Sequence, residues 1–254
     1  MTPRLFVRHT GDAWAPEHAL DLPEGAARHA QVLRLQPGDA LTLFDGRGGE
    51  WAAEVLSMGR KEVSARLLQH LDVDRELGVR VTVALGMPTN DRMDALVEKA
   101  TELGVHAIQP LVCARSVLRL DGERAGKKVA HWQSVVESAC EQSGRTRVPE
   151  VRPVLSFKQW VSTAAVAEPG AVLSFAPQHH VHDWLQDHLE GAAGSSSPVS
   201  FLSGPEGGLT DEEEAQAKAA GWVPVGLGPR VLRADTAPLM ALSLVGGLMR
   251  HAQG

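Results

Sequence analysis

Through about residue 70, apolar positions come in short runs cut by turn chemistry; beyond Leu71 they lengthen into alternating strand and helix patterns. "LFV", "DALTLFDGRGGEWAAEVL" and "EVSARLL" have the form of short strands in a small barrel, with Pro37-Gly38-Asp39 and Asp45-Gly46 as turns. Between them, "EGAARHAQVLRL" has helical spacing through Ala27, Ala30, Val32 and Leu33. "GVRVTVALGM" then reads as a strand. The following "NDRMDALVEKATELG" places Met93, Leu96, Val97, Ala100 and Leu103 on one helical face, with Asn90 as N-cap and Gly104 as the stop.

"VHAIQPLV" is the next strand, which makes a right-handed strand, helix, strand unit. "GKKVAHWQSVVESACEQSG" predicts a helix burying Val129, Trp132, Val136, Ala139 and Cys140 and ending at Gly144. "AVLSFA" and "VSFLSG" read as buried strands around a short helix and the linker "GAAGSSSP". "WVPVGLG" and an apolar helix from about Thr236 to Arg250 complete the pattern, which predicts a parallel sheet covered by helices. Ligands of such sheets sit beyond the carboxyl ends of the strands. Two glycine-bearing loops lie there, "SGPEGG" at 203–208 and "GLGPRVLRADTAP" at 226–238.

The 254 residues accommodate two modest domains, read as 1–72 and 73–254, and the 43% hydrophobic content supplies their cores. A net charge of −6 excludes nucleic-acid binding through overall charge and leaves only a local basic patch. Cys113 and Cys140 have no paired spacing, so a reducing, cytoplasmic setting is expected. Neither a signal peptide nor a membrane span is read, since "APLMALSLVGGLM" is too short to cross a bilayer. His179, His180 and His182 in "QHHVHDW" lack an established ligand spacing; a loop edge is expected and no metal.

The loop "GPEGGLT" lacks the lysine of a phosphate-binding P-loop and the spacing of a dinucleotide fingerprint. Asp211, Glu212, Glu213 and Glu214 already complement the partial positive charge at the start of the following helix, so a polyanion there would meet repulsion. Thr210 and Glu213 have the spacing of a capping box. Three glycines and a proline ahead of that cap indicate backbone brought close to something other than phosphate, and a cationic or zwitterionic ligand such as S-adenosylmethionine suits the loop. An apolar pocket of Leu202, Leu227, Val231 and Leu232 would favour loss of sulfonium charge; ordinary strand-end packing is the better account of any one of them taken alone.

"SGPEGGLTDEE" followed by "LGPRVLRADTAP" resembles the paired knot motifs of the small-subunit ribosomal RNA methyltransferase E family, within the SPOUT superfamily. "RHAQVLRLQPGDALTLFDGRGG" resembles its amino-terminal barrel, and "DRMDALVEKATELGVHAIQPLVCARSV" and "ESACEQSGRTRVPEV" resemble its central signatures, so the likeness covers most of the chain. The resemblance implies an α/β fold: a SPOUT-type parallel sheet with a carboxy-terminal trefoil knot, preceded by a small PUA-like β-barrel that binds RNA. It also implies a homodimer that transfers a methyl group from S-adenosylmethionine to N3 of one uridine in small-subunit ribosomal RNA, free or in the assembled subunit.

Carried over by position, the cofactor pocket would use Leu202, Ser203, Gly204 and Gly208 from the first motif, and Leu227, Gly228, Val231, Leu232 and Arg233 from the second. Asp235 stands where the family usually has Glu, and Thr89 where Lys is usual, which weakens contact of the Thr89 loop with RNA phosphate. Charge developing on a uracil calls for a placed guanidinium. Arg233 is the catalytic candidate, with a salt bridge to Asp235 or another acid as the alternative, and Glu206 and Asp235 are candidate bases by position only.

For RNA contact, residues 113–133 carry Arg115, Arg119, Arg124, Lys127 and Lys128 against Asp121 and Glu123, with Arg145 and Arg147 further on. Arg4, Arg8, Arg28, His29 and Arg34 are the barrel's candidates. A rival reading is a non-catalytic RNA-binding assembly factor that retains the fold. Retention of Arg233 and both glycine loops counts against it.

Overall fold

The computed structural model describes residues 2–8, 14–60, 62–163, 170–189 and 198–249. They form two compact units, one of Met1–Glu76 with Glu137–Val148 and one of Leu77–Val136 with Pro149–Gly254. In chain order the elements are β1 (Arg4–Phe6), β2 (Ala19–Asp21), α1 (Glu24–Val32), β3 (Ala40–Phe44), β4 (Glu50–Met58), β5 (Val63–Leu71), β6 (Val81–Gly86), α2 (Asn90–Glu102), β7 (Ala107–Val112) and α3 (Gly122–Ser143). There follow β8 (Glu150–Val151), β9 (Leu155–Ser156), α4 (Phe157–Thr163), β10 (Gly170–Leu173), β11 (His179–His180), α5 (Val181–Leu189), β12 (Val199–Ser203), α6 (Asp211–Ala219), β13 (Val223–Gly226) and α7 (Thr236–Leu248).

The first unit is one five-stranded sheet in the order β1-β3-β4-β5-β2, antiparallel except for the parallel β1–β3 pair. Register shifts in β4 at Ala52/Ala53 and Val55/Ser57 bend the long β4–β5 ribbon, as bulges do. Its inner face packs Leu41, Leu43, Val55, Ala65 and Leu67 into one core with α1. The stripe α1 buries is Ala26, Ala27 and Ala30; Val32 and Leu33, expected to face inward, are 72% and 44% exposed because the helix ends there and Arg34 adopts φ 58°.

Buried charge organises this unit. Glu50, 6% exposed, accepts hydrogen bonds from Arg4 and from Arg75, the latter at 3.2 Å. Arg145, 4% exposed, is bonded to Glu76. Burial pushes the Glu50 carboxyl up, but the bonds from Arg75 and Arg4 outweigh it and hold the group below its ordinary value of 4.5.

In the second unit the main path of strands runs β11-β13-β10-β12-β6-β7-β8, with β9 paired to β7, and every pairing is parallel. β6 and β12 are buried at every position, as central strands covered on both faces must be. Met93, Leu96, Val97 and Ala100 of α2 are at most 1% exposed. Gly104, at φ +91°, ends that helix as expected. Its cap position is Thr89, one residue ahead of Asn90, which is already helical. Trp132 and His131 of α3 both bond to Asp94 of α2, at 3.0 and 2.9 Å.

Short elements fill gaps the apolar pattern did not announce. "QHHVHDW", expected as a loop edge, forms β11 against the free side of β13 and then α5, whose Val181, Trp184 and Leu185 are buried at helical spacing. Most of the expected linker "GAAGSSSP" lies outside the described residues. Among the described residues, no helix is long and apolar enough to cross a membrane.

Glu50→Gln removes the charge that two arginines share in a buried setting; we expect a loss of about 3 kcal/mol, read from urea unfolding at pH 7. Because its folded pKa is lowered, the stability Glu50 contributes is complete above about 4.5 and fades as pH falls through the folded value. The difference between the parent protein and Glu50→Gln must therefore shrink on acidification below pH 4.5.

Candidate functional site

The sequence brings two loops to the carboxyl end of the sheet, one after β12 and one after β13, and between them lies a cavity of about 670 Å3. A third segment, residues 173–177 after β10, completes its wall. The loop after β12 is folded tightly on itself and against the end of β6. A Cβ at Gly204 would stand 2.6 Å from the Leu209 nitrogen, and one at Gly86, at the end of β6, would stand 2.4 Å from Pro205 Cδ. The chain turns back at Gly208, where φ is +70°, and enters α6.

What holds the loop is the acidic start of α6. The Thr210 hydroxyl accepts from the Glu213 N–H at 3.1 Å, and the Thr210 N–H donates to Glu213 Oε2 at 3.0 Å, completing the expected capping box. Glu213, 7% exposed, reaches further: its Oε1 accepts from the Ala114 N–H at 2.8 Å and fixes the loop after β7. Glu214 does the same for the segment after β10, accepting from the Ser174 hydroxyl at 3.1 Å. Arg115 donates to the carbonyls of Gly207 and Leu209, each at 3.0 Å. Exposed Glu212 is held below the ordinary carboxylate value by its own backbone N–H and the Thr210 hydroxyl.

This geometry corrects the expectation that the acids repel anionic ligands. Asp211, Glu212 and Glu213 do not line the cavity, whose charged wall is Arg92, Arg115, Arg230 and Arg233 against Glu206 and Glu214. The carboxylates at the start of α6 act as ties between strand-end loops. Glu206 is likewise engaged, accepting from the Thr89 N–H at 3.0 Å and lying 3.8 Å from Arg92.

Of the nine positions expected to meet a cofactor, Ser203, Gly204, Gly208, Leu227, Gly228, Val231, Leu232 and Arg233 line the cavity. Leu202 does not; it is 0% exposed, in the core beneath, with Leu209 and Trp222. Sequence reasoning missed the wall after β10, Leu173, Ser174, Phe175 and Pro177, because its only signal is position at a strand end. Arg233 is exposed and makes no ion pair with Asp235, whose Oδ1 is buried without a hydrogen-bond partner. Burial, and secondarily Glu213, pushes the nearby Cys113 thiol up to about 12, so it is no nucleophile.

The basic candidates separate into two groups. Arg4 and Arg145 are buried in ion pairs, which leaves their guanidinium groups no face for phosphate. Arg8 pairs with Glu137 at 2.6 Å on the surface, and His29 with Glu141 at 3.1 Å. Arg28 and Arg34 are exposed and form no ion pair with a described residue. Arg115 is spent on the glycine loop. Among the described residues, no three His, Cys, Asp or Glu side chains converge as a metal site.

Residues 75–246 match the model of an RNA methyltransferase domain, and residues 22–68 that of an RNA methyltransferase PUA domain. The chain is 34% identical over 214 residues to the ribosomal RNA small subunit methyltransferase E of Bacillus subtilis, covering 84% of each protein. It is 37% identical over 222 residues to the Mycobacterium tuberculosis protein of that name, covering 86% of this chain and 82% of the relative. Its structure is similar to that of the Neisseria gonorrhoeae ribosomal RNA small subunit methyltransferase E bound to S-adenosyl methionine, with TM-score 0.87, 36% identity and 98% of each chain covered.

Glu213→Ala removes half of the capping box and unties Ala114; we expect a loss of about 2 kcal/mol, more than a cap alone contributes. Chemical denaturation checks this. Glu212→Ala, on the exposed side of the same turn, is expected to change stability by less than about 0.5 kcal/mol.

Proposed function

Since the chain belongs to the ribosomal RNA small subunit methyltransferase E family, we propose that it transfers a methyl group from S-adenosylmethionine to N3 of a uridine in small-subunit ribosomal RNA. The observation that carries this reading is the cavity at the sheet's carboxyl end, walled by both glycine loops and opened by an exposed arginine. Its volume of about 670 Å3 suits a cofactor-sized ligand. Backbone of Ser203, Gly204 and Gly208 would hold the polar ends of the cofactor, and Leu227 and Leu232 its apolar parts. When bound, the cofactor supplies a methyl carbon on a sulfonium whose charge disappears on transfer. The apolar wall disfavours water beside that charge and so disfavours the charged ground state.

The proton on uracil N3 leaves before or during methylation, to solvent water or to a carboxylate such as Glu206 or Asp235, and the negative charge left behind spreads onto O2 and O4. Arg233 forms no ion pair with a described residue, so the donors of its guanidinium can be directed at those oxygens. A second arginine on the rim, Arg230, is also exposed and supplies positive charge for RNA phosphates; in the first unit, taken by itself, exposed Arg28 and Arg34 can do the same. We retain 1–72 as the RNA-binding part and 73–254 as the catalytic part.

Homodimerisation is part of the same reading. α7 is apolar along its whole length, yet only Pro238, Ala241, Leu242 and Val245 are buried; Leu239, Met240, Leu244 and Leu248 remain half-exposed and suit a second copy of the chain. The carboxy-terminal segment supports a knotted reading, because the chain crosses past β10 to place β13 and then returns to pack α7 against β12 and α2. An enzyme of ribosomal RNA works in the cytoplasm.

Arg233→Ala is expected to lower kcat about a hundredfold while S-adenosylmethionine binding, followed by calorimetry, stays within about twofold. Full activity in that variant would remove Arg233 from the chemistry. Labelled methyl transfer to unmethylated small subunits, mapped to the nucleotide, tests the substrate; label on ribose or another base overturns the uridine assignment. Leu244→Glu should reduce the mass in light scattering from a dimer to the 27.2 kDa chain.

A further inference from the structure

We infer that Phe175 is the stacking platform for the target nucleobase, a subsite on the solvent side of the cavity. This rests on the methyl-transfer reading above. Phe175 is 73% exposed, an unusual position for a phenyl ring, and it lines the cavity. Its ring packs beside Gly208, where a Cβ would lie 3.7 Å from Phe175 Cε2, so glycine leaves the ring's surroundings open.

The ring is presented by anchored backbone. On one side the Ser174 N–H donates to the Val225 carbonyl at 3.0 Å, and its hydroxyl donates to Glu214 while accepting from the Ala176 N–H at 3.1 Å. On the other, Pro177 fills the space a side chain at Gly226 would need, and the Gln178 N–H donates to the Pro224 carbonyl at 3.0 Å. Ser174 and Gln178, on either side, are tied to β13, and Ser174 also to Glu214 of α6, so the exposed phenyl group is carried on a segment anchored at both ends. Rigid presentation of an aromatic face lowers the ordering cost of a partner that stacks on it.

The occupant follows from what surrounds the ring. Leu202, Leu209 and Val225, on the inner side, are at most 9% exposed, whereas Phe175 and Val231, 81% exposed, stand at the mouth with exposed Arg230 and Arg233. An apolar ring among unpaired cations matches one nucleotide of a single-stranded or flipped-out RNA segment, with the base on the ring and the phosphates on the arginines. The cofactor, held by the deeper backbone, does not need this outer surface.

Phe175→Ala is expected to lower kcat/KM for small-subunit RNA by about ten- to hundredfold, with S-adenosylmethionine affinity changed less than about twofold and an unchanged mass in light scattering. Phe175→Trp should restore most of the loss. In parallel, RNA carrying 5-iodouridine at the target position is irradiated with the parent protein, and the adduct is expected on Phe175. Transfer by the parent with an unaffected Phe175→Ala overturns the platform and leaves the methyl-transfer reading intact. Weakened cofactor affinity would place the ring on the cofactor, and a changed mass would make it a subunit contact; either overturns the inference. An adduct on Phe175 without any methyl transfer would uphold the subsite and sink the enzymatic reading.

Discussion

One carboxylate organises the end of the parallel sheet. Glu213 closes the capping box of α6 with one oxygen and holds the Ala114 N–H with the other, so the helix start, the glycine loop ahead of it and the loop after β7 are set by a single buried side chain. The site depends on this tie because loops at strand ends have little packing of their own. Glu214 repeats the device towards β10, and Arg115 closes the circle by binding the carbonyls of the glycine loop. Backbone so constrained folds tightly enough that glycine is needed at Gly204 and Gly86, where a Cβ would stand 2.6 and 2.4 Å from neighbouring atoms.

The same arrangement explains how an acidic helix start coexists with a cavity whose wall carries four arginines. Glu213 is consumed internally and Asp211 and Glu212 do not line the cavity, while Arg230 and Arg233, which form no ion pair with a described residue, line it together with Glu206 and Glu214. Helix polarity and charge complementarity thus act at different places: the first stabilises the scaffold, and the second is left for the ligand. In the other unit the balance is reversed, since Arg4 and Arg145 are committed to buried acids. Arginine content in the sequence therefore overstates what either unit can offer to phosphate.

Much of the architecture was legible because it rests on local periodicity. Met93, Leu96, Val97 and Ala100 announced the buried face of α2, Gly104 its end, and the mostly apolar runs of β6 and β12 their place at the centre of a parallel sheet. Thr210 and Glu213 announced the cap, since both partners lie within one turn. The paired glycine loops pointed to a ligand at the strand ends, and eight of their nine expected residues line one cavity.

What the chain could not announce depends on contacts between distant residues. Val32 and Leu33 continue the apolar pattern of α1 but stand at its last residue and its C-cap, where they are exposed, and β11 exists because the outer edge of β13 accepts a partner. The identity of the partners of Glu213 and Glu214, the burial of Arg145 and the outward projection of Phe175 arise from residues 40 to 99 positions apart in sequence or from packing around them. Sequence fixes which segments become strands and helices, because those preferences are written within a few residues. Which charges meet, and which are left for a ligand, is decided only when the folded sheet brings its loops together.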